Sequence, residues 1–165
     1  MAMTMPLRFR QFLRLLSSLL IVYAAAAVGA LASIDAAAYY ERLSQPAWAP
    51  PPWLFGPVWT VLYTLMGISL WLVWESTQRT KLATGMFVLQ LAVNGFWSWT
   101  FFRWHDGLLA FTTIVLLIAL VTATLATFWT IRKAAALLLV PYLAWTGFAG
   151  LLCWTLWQAN RMALG

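Results

Sequence analysis

Apolar residues fall in five long stretches without charge, 15–34, 58–74, 82–102, 108–131 and 135–159, and the charged residues sit in the gaps and at the ends. A helix needs about 20 apolar residues to cross about 30 Å of hydrocarbon. Each stretch therefore predicts a transmembrane helix, the second being the shortest. The gaps 75–81, 103–107 and 132–134 are short enough to join only antiparallel neighbours. The expected fold is all-α, an integral membrane bundle of five transmembrane helices forming a single domain over 1–165.

Only the first connection, 35–56, is long, and it predicts a structure of its own. Residues 36–43 (AAAYYERL) suit a short interfacial helix that places Tyr39 and Tyr40 at headgroup level. Beyond it, Pro46, Pro50, Pro51 and Pro52 fix their own backbone angles and push the preceding residues out of the helical region. The segment should cross one end of the bundle as a stiff, extended lid over a ligand cavity. Pro57 then predicts a helix start, with Trp59 and Tyr63 one turn apart on one face.

Composition supports the membrane reading. Hydrophobic residues make up 64% of the chain and charged residues 8%, more apolar surface than one soluble core of this size can hide. The net charge of +6 reads as topology rather than nucleic-acid binding. With five spans, Arg8, Arg10, Arg14, Arg79, Lys81, Arg132 and Lys133 share one side, against Arg42, Arg103 and Arg161 on the other. Lys and Arg favour the cytoplasmic side, so the N-terminus is expected there. The first stretch has an Arg-bearing lead but no small-residue cleavage site before a soluble domain, so it reads as the first span rather than a cleaved signal.

Missing residues narrow the chemistry. No Asp, Glu, Lys or Arg lies within a span, which argues against the ionisable relay of a proton-coupled transporter. His105 is the single histidine and falls in a short loop beside Asp106, so no metal site is expected. Cys153 stands alone within the fifth span, where it reads as a small packing residue. The spans do offer uncharged polar and aromatic groups. Gln90, Asn94 and Ser98 recur every four residues beside Trp97, while Trp145, Ala149 and Leu152 share a face of the fifth helix, four residues and more beyond Pro141. These groups serve either as interhelical glue or as the wall of a pocket for a large, flat, apolar ligand.

Four ordered motifs carry a resemblance: QPAWAPPPW at 45–53, PVWTVLYTLMG at 57–67, QLAVNGFWSWTFF at 90–102 and VPYLAWTGFAGLL at 140–152. With them the chain resembles the tryptophan-rich sensory protein family, TspO/MBR, whose eukaryotic members are the translocator protein or peripheral benzodiazepine receptor. The resemblance implies five transmembrane helices, commonly a homodimer, and a cavity beneath the first loop. It implies protoporphyrin IX or haem as ligand rather than obligatory cofactor, with isoquinoline carboxamides and benzodiazepines as synthetic ligands. Carried over by motif position, the cavity would be lined by Tyr40, Pro50, Trp59, Tyr63, Asn94, Trp97, Ser98, Trp145, Ala149 and Leu152, with Ala27 and Gly29 as small neighbours. Cys153 departs from the asparagine of many relatives. Trp154 likewise occupies the tyrosine position of a cholesterol consensus ending at Arg161.

Three functions stay open on the sequence. The first is a tetrapyrrole-binding carrier or sensor. The second is an enzyme degrading protoporphyrin IX in light, with Trp59 and Trp145 as the reacting residues that the resemblance implies. The third is a regulatory or structural protein acting through its dimer, with Ala25, Gly29 and Ser33 as a close-packing stripe.

The charge asymmetry yields a direct test. A reporter active only in the cytoplasm should work when inserted after Arg10 or within 76–80, and be silent when fused after Gly165. The reverse pattern would contradict the orientation.

Overall fold

The structure, a computed structural model, describes residues 6–78 and 80–165. Arg79, which the charge comparison includes, lies outside the described residues. Five long helices form the body: α1 (Leu7–Ala32), α3 (Phe55–Trp74), α4 (Lys81–Ser98), α5 (Gly107–Ile131) and α6 (Lys133–Ala159). Two short helices, α2 (Ala36–Arg42) and α7 (Arg161–Leu164), sit at one end. The long helices close a ring in the order α1, α3, α6, α5, α4 and back to α1.

Among the described residues, four helices are long and apolar enough to cross a membrane by themselves: Leu7–Ala32, Pro52–Trp74, Gly107–Ile131 and Lys133–Ala159. The expected count of five is therefore not exact. The third predicted span, 82–102, divides into α4 and a π-helical turn, Trp99–Arg103. Gln90 and Asn94 make α4 less apolar, and both are buried inside the bundle. Its 18 residues still rise about 27 Å, enough to accompany its neighbours.

Helix ends differ from expectation where local chemistry permits extension. α1 begins at Leu7 rather than 15, because after the extended Pro6 no residue interrupts it before the bundle. Arg8, Arg10 and Arg14 thus ride on the helix. Arg14 donates to the Trp74 carbonyl at 3.1 Å and to Glu75 Oε1 at 3.0 Å, tying the start of α1 to the end of α3. Entry into α3 comes before Pro57, through a 3-10 turn at Pro52–Leu54. Pro57 then lies in the first turn, where a missing N–H breaks no helical bond.

Small residues set the spacing. A Cβ on Gly67 would lie 2.6 Å from a Leu19 methyl, so α1 and α3 meet with almost nothing between them. The Ala25, Gly29 and Ser33 stripe is also used within the chain. A Cβ on Gly29 would come within 3.2 Å of Ser98 Oγ, and one on Gly95 within 3.8 Å of the Ala25 carbonyl. Ala25 and Gly29 of that stripe thus seat α4 on α1.

Buried polar groups complete the packing. Tyr63 on α3 donates to Asn94 Oδ1 at 2.6 Å, Asn94 Nδ2 donates to the Tyr142 hydroxyl at 3.1 Å, and Tyr142 donates to Gln90 Oε1 at 2.9 Å. One directed chain of hydrogen bonds thus joins α3, α4 and α6. Replacing Asn94 with leucine strands the Tyr63 hydroxyl and removes the bond that Tyr142 accepts while it still donates to Gln90, and should cost about 1–3 kcal/mol. Thermal unfolding in detergent should show this loss. Unchanged stability would contradict a structural role for Asn94.

Candidate functional site

The first loop folds over one end of the ring, and sequence explains how it stays there. The Tyr40 hydroxyl donates to the Pro50 carbonyl at 3.1 Å, and Gln45 Nε2 donates to the Tyr40 carbonyl at 2.6 Å. Asn160, beyond α6, pairs with both backbone groups of Ser44: the Ser44 N–H donates to Oδ1 at 2.7 Å and Nδ2 donates to the Ser44 carbonyl at 3.0 Å. A side-chain amide here does what a neighbouring strand would do. Pro51 stays extended at φ −65° and ψ 148°, as the proline run predicts.

Aromatic rings carry the lid into the bundle. Trp48 meets Phe148 at a centroid distance of 5.8 Å, Phe148 meets Trp145 at 5.4 Å, Trp145 meets Phe55 at 6.0 Å, and Phe55 meets Tyr40 at 5.4 Å. On the outer side, Tyr39 stacks on His105 at 4.0 Å, linking α2 to the turn between α4 and α5. His105 holds a left-handed φ of 56° there. Burial pushes the Tyr39 phenol up to about 12, so it stays protonated at neutral pH.

Beneath the lid lies a cavity of about 340 Å³. Tyr40, Trp59, Tyr63, Trp97, Ser98, Trp145 and Ala149 all line it, as the motif positions imply. Trp59 and Tyr63 face it together, with ring centroids 5.4 Å apart, which matches their one-turn spacing. Exposed Ala30, Ala37 and Gly56 stand at its mouth. Among the described residues, the lining carries no charged side chain.

Three expected positions fall elsewhere. Pro50 stands behind the wall, where its carbonyl holds Tyr40. Asn94 is likewise behind it, since both ends of its amide are spent on Tyr63 and Tyr142. Leu152 lines a smaller adjoining void of about 20 Å³ instead. On α1 the register shifts by one: Ala27 is exposed, while Ala26, Gly29, Ala30 and Ser33 supply the wall.

Phe55 and Phe102 also line the cavity, and the motif reading omitted them. Phe55 reaches it because the helix starts before Pro57. Phe102 reaches it because the π turn puts more residues in each turn than an α-helix, so Trp97, Phe101 and Phe102 converge. The sequence carries a signal for the first in the run of prolines, and none for the second.

The family model for TspO/MBR matches residues 17–158, which hold all five long helices' cores and the whole cavity wall. The chain belongs to the TspO/MBR family. It is 40% identical over 126 residues to the tryptophan-rich protein TspO of Chlorobaculum tepidum, covering 74% of this chain and 79% of that one. It is 36% identical over 141 residues to the protein CrtK of Rhodobacter capsulatus, covering 83% and 88%. The human translocator protein is 35% identical over 127 residues, covering 74% and 75%. As a TspO/MBR member with several membrane-length apolar helices, the chain is a multi-pass membrane protein.

The Asn160 clamp predicts how the lid moves. Asn160→Ala should raise hydrogen exchange at the Ser44 amide and across 44–54, and speed ligand release, with the long helices unchanged. Exchange in the loop equal to that of the parent would show that the Asn160 clamp does not hold the lid.

Proposed function

We propose that this TspO/MBR protein is a membrane receptor for a flat, apolar macrocycle of the porphyrin class, acting as carrier or sensor. The observation that carries the reading is the cavity itself. Aromatic faces from α3, α4, α6 and the lid surround a space without charge, a lining suited to a ring system rather than an ion or sugar. Its volume lies near the lower end of the about 300–1,000 Å³ typical of small-molecule sites. The carboxylates of protoporphyrin IX would therefore remain at the mouth, beside Ala30, Ala37 and Gly56. The lining offers no imidazole or thioether, which favours metal-free protoporphyrin IX, or haem held by its periphery.

Isoquinoline carboxamides and benzodiazepines fit the same description of an apolar aromatic body with few polar groups. A homodimer belongs to this proposal too, and its interface would use a face other than the Ala25 and Gly29 seat of α4.

A second reading keeps the site and adds light-dependent breakdown of bound protoporphyrin IX. It is favoured by one feature: Trp59 and Trp145, the two indoles that the resemblance marks as reactive, open onto the same cavity. Either indole is then placed to donate an electron to a photoexcited ligand.

Titration with protoporphyrin IX, followed by tryptophan fluorescence, tests the first reading; saturable quenching is expected, and its absence contradicts it. Under light, Trp59→Phe and Trp145→Phe keep aromatic surface but lose the easily oxidised indole. If these residues react, saturated variants should bleach porphyrin more slowly than the parent while losing only modest affinity. Equal bleaching rates would leave the carrier or sensor reading alone.

A further inference from the structure

Charge is divided unevenly between the two ends of the bundle. Where α1, α4 and α6 begin and α3 and α5 end, the described residues set Arg8, Arg10, Arg14, Lys81, Arg132 and Lys133 against one carboxylate, Glu75. At the lid end Arg42, Arg103 and Arg161 are balanced by Asp35, Glu41 and Asp106. Only part of the cationic set holds the fold. Arg14 takes Glu75 at 3.0 Å and Arg132 donates to the Leu72 carbonyl at 3.4 Å, so both brace the last turn of α3. Arg8, Arg10, Lys81 and Lys133 are exposed, and the Lys133 ammonium lies 5.7 Å from the ring of exposed Trp129.

The start of α1 shows what these charges face. Its 26 residues rise about 39 Å, against about 30 Å of hydrocarbon, so its first two turns reach headgroup level. Phe9, Phe12, Leu13 and Leu16 recur there at helical spacing on one face, and all four are exposed. Arg14, on the other face, turns to α3. The apolar face therefore points away from the bundle, with Arg8 and Arg10 at its flanks. Water disfavours the rings and hydrocarbon disfavours the guanidiniums, whereas the boundary between acyl chains and headgroups suits both. Trp129 marks the same level on α5, as an interfacial tryptophan does. The apolar face commits the surface to lipid rather than to an acidic solute.

We propose that this end of the bundle binds anionic phospholipid selectively, the first two turns of α1 and the Arg132 and Lys133 corner holding headgroups of net negative charge in preference to zwitterionic ones. Both kinds of lipid carry a phosphate that a guanidinium can grip. Choline adds a cation that this end repels, so net charge makes the discrimination. The attraction grows with each basic residue at the surface and is screened by salt. This surface is separate from the cavity and does not rest on the porphyrin reading.

Spin-labelled phosphatidylglycerol and phosphatidylcholine, each at trace level in phosphatidylcholine bilayers holding the full-length protein, report relative affinity for the first lipid shell. Phosphatidylglycerol should be favoured about threefold at low salt, and the preference should shrink at high salt. Arg8→Gln with Arg10→Gln should lower it, as should Arg132→Gln with Lys133→Gln, and all four together should remove most of it. Arg42→Gln with Arg103→Gln, at the lid end, should leave it unchanged. Arg8 and Arg10 precede the first buried residue of α1, Ser18, so their variant keeps the packed core and decides the matter if changes at 132 and 133 disturb α3. Equal affinity of the parent for the two lipids would overturn the proposal. So would an equal loss of preference from either end, which would make it a matter of total charge rather than of this surface.

Discussion

The hydrogen bond between Tyr63 and Asn94 is the contact on which the rest of this molecule depends. In lipid, helices gain little from burying apolar surface against one another, so association rests on close packing and interhelical hydrogen bonds. Asn94 stands at the crossing of three helices, accepting from α3 and donating to α6 while Tyr142 turns back to Gln90 on α4. That arrangement fixes the Tyr63 ring, and through it Trp59, against the cavity. The glue and the pocket are thus successive layers of one structure: amides behind, rings in front.

The second constraint is the lid. Its prolines limit how the chain can cross the end of the bundle, and Asn160 and Tyr40 hold its backbone at two separated points. Between those points Trp48 sets its ring against Phe148, and beyond them Phe55, at the start of α3, meets Trp145. A loop that is stiff before ligand arrives loses less freedom on binding than a flexible one, which favours affinity without adding contacts.

Much of this was legible in the sequence because the membrane imposes a simple grammar. Long apolar stretches and short charged gaps give the helices, their antiparallel order and a membrane bundle, and the four motifs point to the lid and to six of the cavity residues, with Tyr40 just before the first of them. Several things escaped. Gln90 and Asn94 make α4 too polar to qualify as a span by itself, since groups satisfied inside the bundle still count against hydropathy. Asn94 is assigned to the cavity by its motif position, but the amide's partners hold it one layer back. Phe102 arrives through the π turn, a backbone choice made by tertiary packing rather than by any residue within it. The one-residue shift from Ala27 to Ala26 on α1 has the same origin: an alanine-rich stretch carries no large side chain to fix which face turns inward.

The account's central claim is that a flat ligand sits inside the bundle beneath the lid. Ala149, on α6, lines both the cavity and the smaller void beside it, and its small side chain keeps that space open. The most direct measurement is calorimetric titration of protoporphyrin IX into the parent and into Ala149→Phe, which plugs the cavity without touching the hydrogen-bonded layer behind it. The account predicts saturable binding to the parent and a loss of at least about tenfold in the plugged variant, with near-parental thermal stability. Equal affinity in the two proteins would place the ligand elsewhere and contradict the account.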